Sequence, residues 1–498
     1  MWRNSALGVR ARITERRETV LVAFATLTLV SASAGWVILS RGASASQSSR
    51  ATPSTFSALP LLDISSFAFA SPVGQVGQVG QVGIHHVGGK AETPSVITPI
   101  TATAPIWASG LTTPPSSASS SSDPLSLDAF YAPPDPLTAA APGSIVRSEP
   151  IPDAEGLPAQ ATAYRVLYHS ESITGADIAV SGMVVIPGGP PPVTGYPILT
   201  WAHGTTGLAD ACAPSKQGVN TIPYLSELID EGMIVVATDY QGLGTPGIHP
   251  YLVGQSEGQT VLDAARAARN LAGSVASDSV IIFGHSQGGQ AALFAGQISH
   301  LYAPDLFVVG VVAVAPVSNV SEFVPAVPGR NPDTFSAYVV MALYAWSIAY
   351  GDLPLSDVFT PWAIATTPAI NQMCSDEVTD TYADVSTNRI FRSGWKDNTA
   401  VQAHLIQNEP GLAPTVAPVL IVQGTADSLI PYATTTTLVD QRLCGAQHDT
   451  VEYEVVRGAS HGSVVETAQP DVLQWIAARF AGQTAPDTCG QRHPVLTD

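Results

Sequence analysis

Apolar and polar positions divide the chain into three textures. Residues 20–39 form an uncharged run, VLVAFATLTLVSASAGWVIL. Arg3, Arg10, Arg12, Arg16 and Arg17 precede it, and Ala43-Ser44-Ala45 follows. Basic, then apolar, then small is the order of a secretory signal. A run of about 20 residues can also cross a bilayer, so a retained signal anchor stays open. The arginines put the N-terminal side in the cytoplasm in either case.

Residues 46–145 show no sustained apolar period. Ser, Thr, Pro, Ala and Gly dominate, and residues 73–83 repeat Gly-Gln-Val. Such a segment buries too little surface to offset its ordering entropy. It reads as a disordered linker or cell-envelope spacer after a signal or anchor at 1–45.

From Tyr164 the pattern changes. Runs 164–169 and 178–186, joined through Thr174-Gly175, predict an antiparallel pair. Short apolar runs follow at 198–202, 233–238, 280–283, 307–314, 419–422 and 451–456. Most are apolar on both faces, as buried parallel strands require. Between them lie helical stretches such as 256–271, which opens with Ser-x-x-Gln, a capping-box pattern. Strands alternating with helices predict an α/β class, a mostly parallel sheet with helices on both faces.

The alternation breaks between 314 and 419. Residues 335–350 read as a helix apolar most of the way round. We expect 320–410 to be a helical cap inserted into a body of 146–319 and 411–482, with a tail at 483–498. The aromatic residues of 335–350 fit a buried cap core or an apolar face offered to lipid.

Composition narrows the class. The formal net charge is −19, which repels nucleic acid but not neutral substrates. The four cysteines, Cys212, Cys374, Cys444 and Cys489, include no Cys-x-x-Cys pair, so zinc ligation is not expected. In an exported chain they suggest two disulfides, and spacing leaves three pairings open.

Gly-x-Ser-x-Gly occurs three times, at 254–258, 284–288 and 458–462. A nucleophile elbow needs a strand entering and a helix leaving. Ser286 follows Ser-Val-Ile-Ile-Phe-Gly-His and precedes an Ala-rich helical stretch. Ser256 looks like a helix cap. Ser460 follows a strand, but little chain remains after it for an acid and then a histidine. Ser286 is therefore the expected nucleophile.

A serine hydroxyl needs a histidine base, and the histidine needs a carboxylate. Asp427 ends the run Val-Leu-Ile-Val-Gln-Gly-Thr-Ala-Asp, and His461 follows the last strand. Both occupy strand-end positions in the order serine, acid, histidine. Asp440, Asp449, His448 and His404 are weaker rivals: Asp440 lies within a predicted helix, Asp449 and His448 lie just before a strand, and a lone Asp or His is usually a solvated surface residue. The oxyanion donors are expected from the backbone of Gln287 and from Gly204 or Thr205 after the strand at 198–202. His203 and His285 read as supports of the elbow.

With these residues assembled, the chain resembles the secretory lipases, the lipase A-like group of α/β-hydrolases. The resemblance covers roughly 150–482. It rests on Trp201-Ala-His-Gly-Thr-Thr-Gly207, Cys212-Ala-Pro-Ser215, Asp239-Tyr-Gln-Gly-Leu-Gly244, His249-Pro-Tyr251, Gly284-His-Ser-Gln-Gly-Gly289 and Gly424-Thr-Ala-Asp427. It implies an α/β-hydrolase fold with a mostly parallel eight-stranded sheet and a cap, and secreted triacylglycerol lipases or esterases. It also implies the pairings Cys212–Cys374 and Cys444–Cys489, and no metal or cofactor.

The expected activity is extracytoplasmic hydrolysis of a carboxylic ester or lipid through an acyl-enzyme. An acyltransferase or peptidase on the same triad is one alternative, and a non-catalytic envelope lipid-binding protein is another. Association with a membrane or lipid interface fits the apolar segments. Oligomeric state is not legible.

Overall fold

The computed structural model describes residues 126–152, 157–158, 160–324 and 335–491. The run at 20–39 and most of the expected linker lie outside the described residues. So does the end of the tail, 492–498.

The strands are β1 (Ile145–Pro150), β2 (Thr162–Glu171), β3 (Asp177–Ile186), β4 (Tyr196–Ala202), β5 (Ile234–Thr238), β6 (Ala276–His285), β7 (Phe307–Val314), β8 (Val419–Gly424) and β9 (Val451–Val456). They form one sheet in the order β1-β2-β3-β5-β4-β6-β7-β8-β9. The first three strands pair antiparallel, and β3 meets β5 antiparallel. From β5 across to β9 every pairing is parallel. The sheet thus has nine strands rather than eight. The additional one, β1, is an edge strand with no fully buried residue, so its sequence carries no apolar run.

Both faces of the parallel half are covered, which explains its uninterrupted apolar runs. In β6, Val280 and Ile282 enter one core while Ile281 and Phe283 enter the other. In β8, Val419 and Ile421 alternate with Leu420 and Val422 in the same way. Successive side chains of a strand point to opposite faces, so a two-sided sheet needs apolar residues at every position. Each such side chain contributes roughly 1.5–3 kcal/mol when buried. The helices Gly254–Ala272 and Gln287–Tyr302 cover the first face, and Gln469–Phe480 covers part of the second.

The expected spacer ends earlier than residue 145. Leu127–Tyr131 is a short helix capped by the Ser126 side chain. Phe130 and Tyr131 bury against Leu167, and the Tyr131 hydroxyl lies 2.6 Å from Ser215 Oγ. Two aromatic residues anchor a stretch whose composition otherwise reads as linker. The tail is likewise attached as far as Gln491. Thr488 donates its amide to the Val451 carbonyl at 2.8 Å, and Cys489 bonds to Cys444. The other disulfide is Cys212–Cys374, so both pairings are those the resemblance implied.

The insertion after β7 carries its own core. Helix Phe335–Ala349 buries Val339, Val340, Leu343 and Trp346, and Trp346 is fully enclosed. This core joins the body through Tyr251, Leu252, Val317 and Ile430. The insertion is also laced to the loop after β4. Ser375 donates its amide to the Thr206 carbonyl at 2.8 Å, beside the Cys212–Cys374 bond. Among the described residues, no helix is long and apolar enough to cross a membrane.

Candidate active site

Ser286 sits between β6 and the helix Gln287–Tyr302 with φ +59° and ψ −118°. A serine in this left-handed region is strained, by about 1–3 kcal/mol. Surrounding glycines let the turn close. A Cβ on Gly288 would lie 1.9 Å from the Ala202 carbonyl oxygen, and one on Gly284 would lie 2.0 Å from that of Gly288. The turn ties back to the sheet, because Ser286 donates its amide to the Val314 carbonyl at 2.9 Å.

Because β6, β8 and β9 run parallel, their C-terminal ends lie along one edge of the sheet. This edge brings Ser286, Asp427 and His461 together. His461 Nε2 is 2.9 Å from Ser286 Oγ, and His461 Nδ1 is 2.8 Å from Asp427 Oδ2. Asp427 Oδ1 accepts the amides of Leu429 and Ile430, at 2.9 and 2.8 Å. Burial alone would push the Asp427 carboxyl up; the hydrogen bond and charge of His461, with the donors of Ile430 and Gln423, hold it below its ordinary value.

A profile described as secretory lipase matches residues 216–488, more than half of the chain. The chain belongs to the secretory lipase family. It is similar to a probable inactive lipase of Mycobacterium tuberculosis, at 27% identity over 72% of this chain and 83% of that protein. A secreted triacylglycerol lipase of Malassezia globosa is 26% identical, over 74% of this chain and 82% of that one. Candida antarctica lipase A in its closed state shares the fold, with a TM-score of 0.64 at 19% identity, over 75% of this chain and 91% of that one.

In this member of the family the oxyanion candidates also lie beside Ser286. A Cβ on Gly204 would be 3.6 Å from Ser286 Cβ, and Thr205 lines the same cavity as Ser286. Gln287 opens the helix, where first-turn amides have no intrahelical acceptor. His203 Nδ1 lies 2.6 Å from the Gly204 carbonyl. Burial lowers the His203 pKa, so its ring is neutral and its one N–H serves that short contact.

His285 donates from Nε2 to the His461 carbonyl at 2.9 Å, and the two rings lie 4.8 Å apart. Burial, with the neighbouring His461, pushes its pKa down to about 4. It therefore braces His461 as a neutral ring.

The rivals lie elsewhere. His404 contacts Asp352 at 2.7 Å and stacks on Tyr350 in the insertion. Asp449 accepts the Thr415 amide at 2.9 Å. Ser256 is not a helix cap. The helix starts at Gly254, with Val253 as its cap residue, and Ser256 donates to Gln241 Oε1 at 3.0 Å.

Three contributors escaped the sequence reading. Gln423 Nε2 donates to Asp427 Oδ2 at 3.0 Å, and its one signal was a polar residue inside a buried apolar run. His249 and Glu257 stand behind Gln287; Glu257 hid inside the Gly-Gln-Ser-Glu-Gly repeat of the motif. The cavity at Ser286 is narrow, about 30 Å³, and is lined by Thr205, Tyr251, Leu252, Phe335, Tyr338 and Ile430 among others. A wider cleft of about 410 Å³ beside β9 and the helix Gln469–Phe480 includes no triad residue.

Proposed function

We propose that the chain is an extracytoplasmic serine carboxylic-ester hydrolase that acts on lipid esters, with triacylglycerols as the leading substrate class. The observation carrying this reading is the contact chain Ser286 Oγ, His461, Asp427, at 2.9 and 2.8 Å. Ser286 Oγ attacks the ester carbonyl carbon while its proton passes to His461 Nε2. The bond to the alcohol oxygen then breaks, and His461 returns the proton to the leaving alcohol. Water attacks the acyl-enzyme by the same route and releases the acid.

Asp427 holds the His461 tautomer that can accept the serine proton. The Gln287 amide is one oxyanion donor, and the Thr205 amide is the second. Thr205 N–H and the Gly204 carbonyl belong to one planar trans peptide and point in opposite directions. His203 binds that carbonyl, which turns the Thr205 N–H the other way. Residues 320–410 act as the cap. A lipid acyl chain does not fit in about 30 Å³, so Phe335 and Tyr338 must shift to admit one. Two disulfides favour a compartment that keeps cysteines oxidised.

The relative named a probable inactive lipase favours a second reading, a lipid-binding protein without turnover. One experiment separates the two. The parent should hydrolyse a fluorogenic ester and take a fluorophosphonate label on Ser286. Ser286→Ala should lose the label and about a million-fold in kcat, as in a comparable triad. An unlabelled, inactive parent would support the binding reading.

A further inference from the structure

Behind the nucleophile, the Gln287 side chain ends in a sealed polar cluster. Its Nε2 donates to Glu257 Oε1 at 2.8 Å and lies 2.9 Å from His249 Nε2. His249 Nδ1 lies 3.0 Å from the Gln241 carbonyl, so Nδ1 carries the proton and Nε2 accepts from Gln287. Glu257 Oε1 also accepts the Leu252 amide at 2.9 Å. Leu252 and Tyr251 line the cavity at Ser286, and the Tyr251 hydroxyl lies 2.8 Å from Thr205 Oγ1. The side chains of Glu257 and His249 have no exposed surface.

Two donors converge on Glu257 Oε1, while Oε2 is buried without a hydrogen-bond partner. A charged oxygen buried without a protein donor is costly, and a proton on Oε2 removes the charge, which is the larger part of that cost. The cluster thus contains a neutral carboxylic acid, which clamps the residue directly after the nucleophile.

We propose that Glu257 is a positioning residue for the oxyanion site: as a neutral acid it acts through the Gln287 side chain and the Leu252 amide to fix the Gln287 backbone N–H beside Ser286. This rests on the reading of Ser286 as the nucleophile. Neutrality matters because the tetrahedral intermediate is an anion. A carboxylate one contact behind the donor would oppose that charge and pull Gln287 toward itself.

Burial pushes the Glu257 carboxyl up to about 8, against the hydrogen bonds from Gln287 and Leu252 that favour ionisation. The titratable groups around it are His249, Tyr240 and Tyr251 from the segment after β5, and Tyr350 at the end of the cap helix. Burial lowers His249 to about 3, so it is neutral throughout, and burial raises all three tyrosines. On the same helix, Asp263 is occupied by Ser170, Arg266 and Tyr302. Glu257 is the member of this cluster that changes charge between pH 7 and 9.

The test is kcat and KM on a soluble short-chain nitrophenyl ester from pH 6 to 10, for the parent, Glu257→Gln and Glu257→Ala. The parent should lose roughly tenfold in kcat through an alkaline limb centred near pH 8, with KM little changed. Glu257→Gln keeps a neutral acceptor for both donors, so it should rescue turnover at pH 7 and abolish the limb. Glu257→Ala should lose about tenfold in kcat at pH 7. His461 and Asp427 contribute alike to each profile, so the difference isolates Glu257.

Stability gives a second readout. A folded pKa raised from 4.5 to about 8 contributes stability below pH 4.5 that is lost as the pH rises to about 8. The Tm of Glu257→Gln should therefore fall less than the parent's over that window. An active parent without the limb, or a Glu257→Gln profile that superimposes on the parent's, would overturn this proposal alone. An inactive parent, or a Ser286→Ala variant that keeps activity, would overturn the functional reading and this proposal with it.

Discussion

The segments 254–258 and 284–288 carry the same five-residue pattern and do opposite things with it. At 284–288 the glycines allow a strained turn. Gly284 and Gly288 lie against backbone carbonyls, and Ser286 has a positive φ. At 254–258 the glycines allow two helices to approach. A Cβ on Gly258 would meet Ala295 N at 2.9 Å, and one on Gly254 would strike the Phe294 ring at 2.2 Å. The serine between them is buried and bonded to Gln241. The third copy, at 458–462, differs again. Gly458 has φ +73° after β9, and nothing lies within 4 Å of a Cβ on Gly462. A motif of small residues records only that the backbone needs room; the elements on either side decide why.

Breaking the site around 284–288 should cost most. Asp427→Asn is the sharpest case. Oδ1 accepts two backbone amides, so the variant must keep oxygen there and turn its NH2 toward Gln423 and His461. That places a donor against His461 Nδ1 and drives the proton to Nε2, where it cannot accept from Ser286. Turnover should fall on the order of 10⁴-fold with the fold intact, read by ester hydrolysis and circular dichroism. Gly288→Ala tests the turn itself. Its Cβ overlaps a backbone oxygen that no rotamer change can move, so both Tm and kcat should drop, the latter by about 100-fold or more. Gly254→Ala meets a half-buried ring that can rotate, so it should lose about 1–3 kcal/mol of stability and keep kcat.

The same contrast marks what the sequence made legible. The parallel strands declared themselves because burial on both faces demands apolar residues at every position. Ser286, Asp427 and His461 followed because the ends of parallel strands converge. β1 stayed hidden because an edge strand with partly exposed residues has no such constraint. Tyr131 and Phe130 stayed hidden because anchoring a Pro-rich stretch takes two side chains, too few to create a period. Glu257 was passed over because a glutamate in a helix is ordinarily solvated. Its burial follows from a crossing between two helices that no local pattern records. The choice between Gly204 and Thr205 as the proposed second oxyanion donor is likewise unreadable along the chain, since it turns on the His203 contact with the Gly204 carbonyl.

Removing the other two motif serines should do far less than removing Ser286. Ser256→Ala deletes one buried hydrogen bond to Gln241, worth about 1 kcal/mol, and should lower Tm slightly without changing kcat. Ser460→Ala is the most demanding test of the comparison, because this serine directly precedes His461. Its hydroxyl is exposed and lies 3.0 Å from Ser463 Oγ, which in turn accepts the Ser460 amide at 2.9 Å. The contacts that orient His461 come from other residues: Asp427 at Nδ1, Ser286 at Nε2 and His285 at its carbonyl. Ser460→Ala should therefore change stability by no more than about 0.5 kcal/mol and leave kcat within about twofold. A loss of a hundredfold, measured on the same ester with the Tm unchanged, would mean that the third copy of the motif takes part in the chemistry.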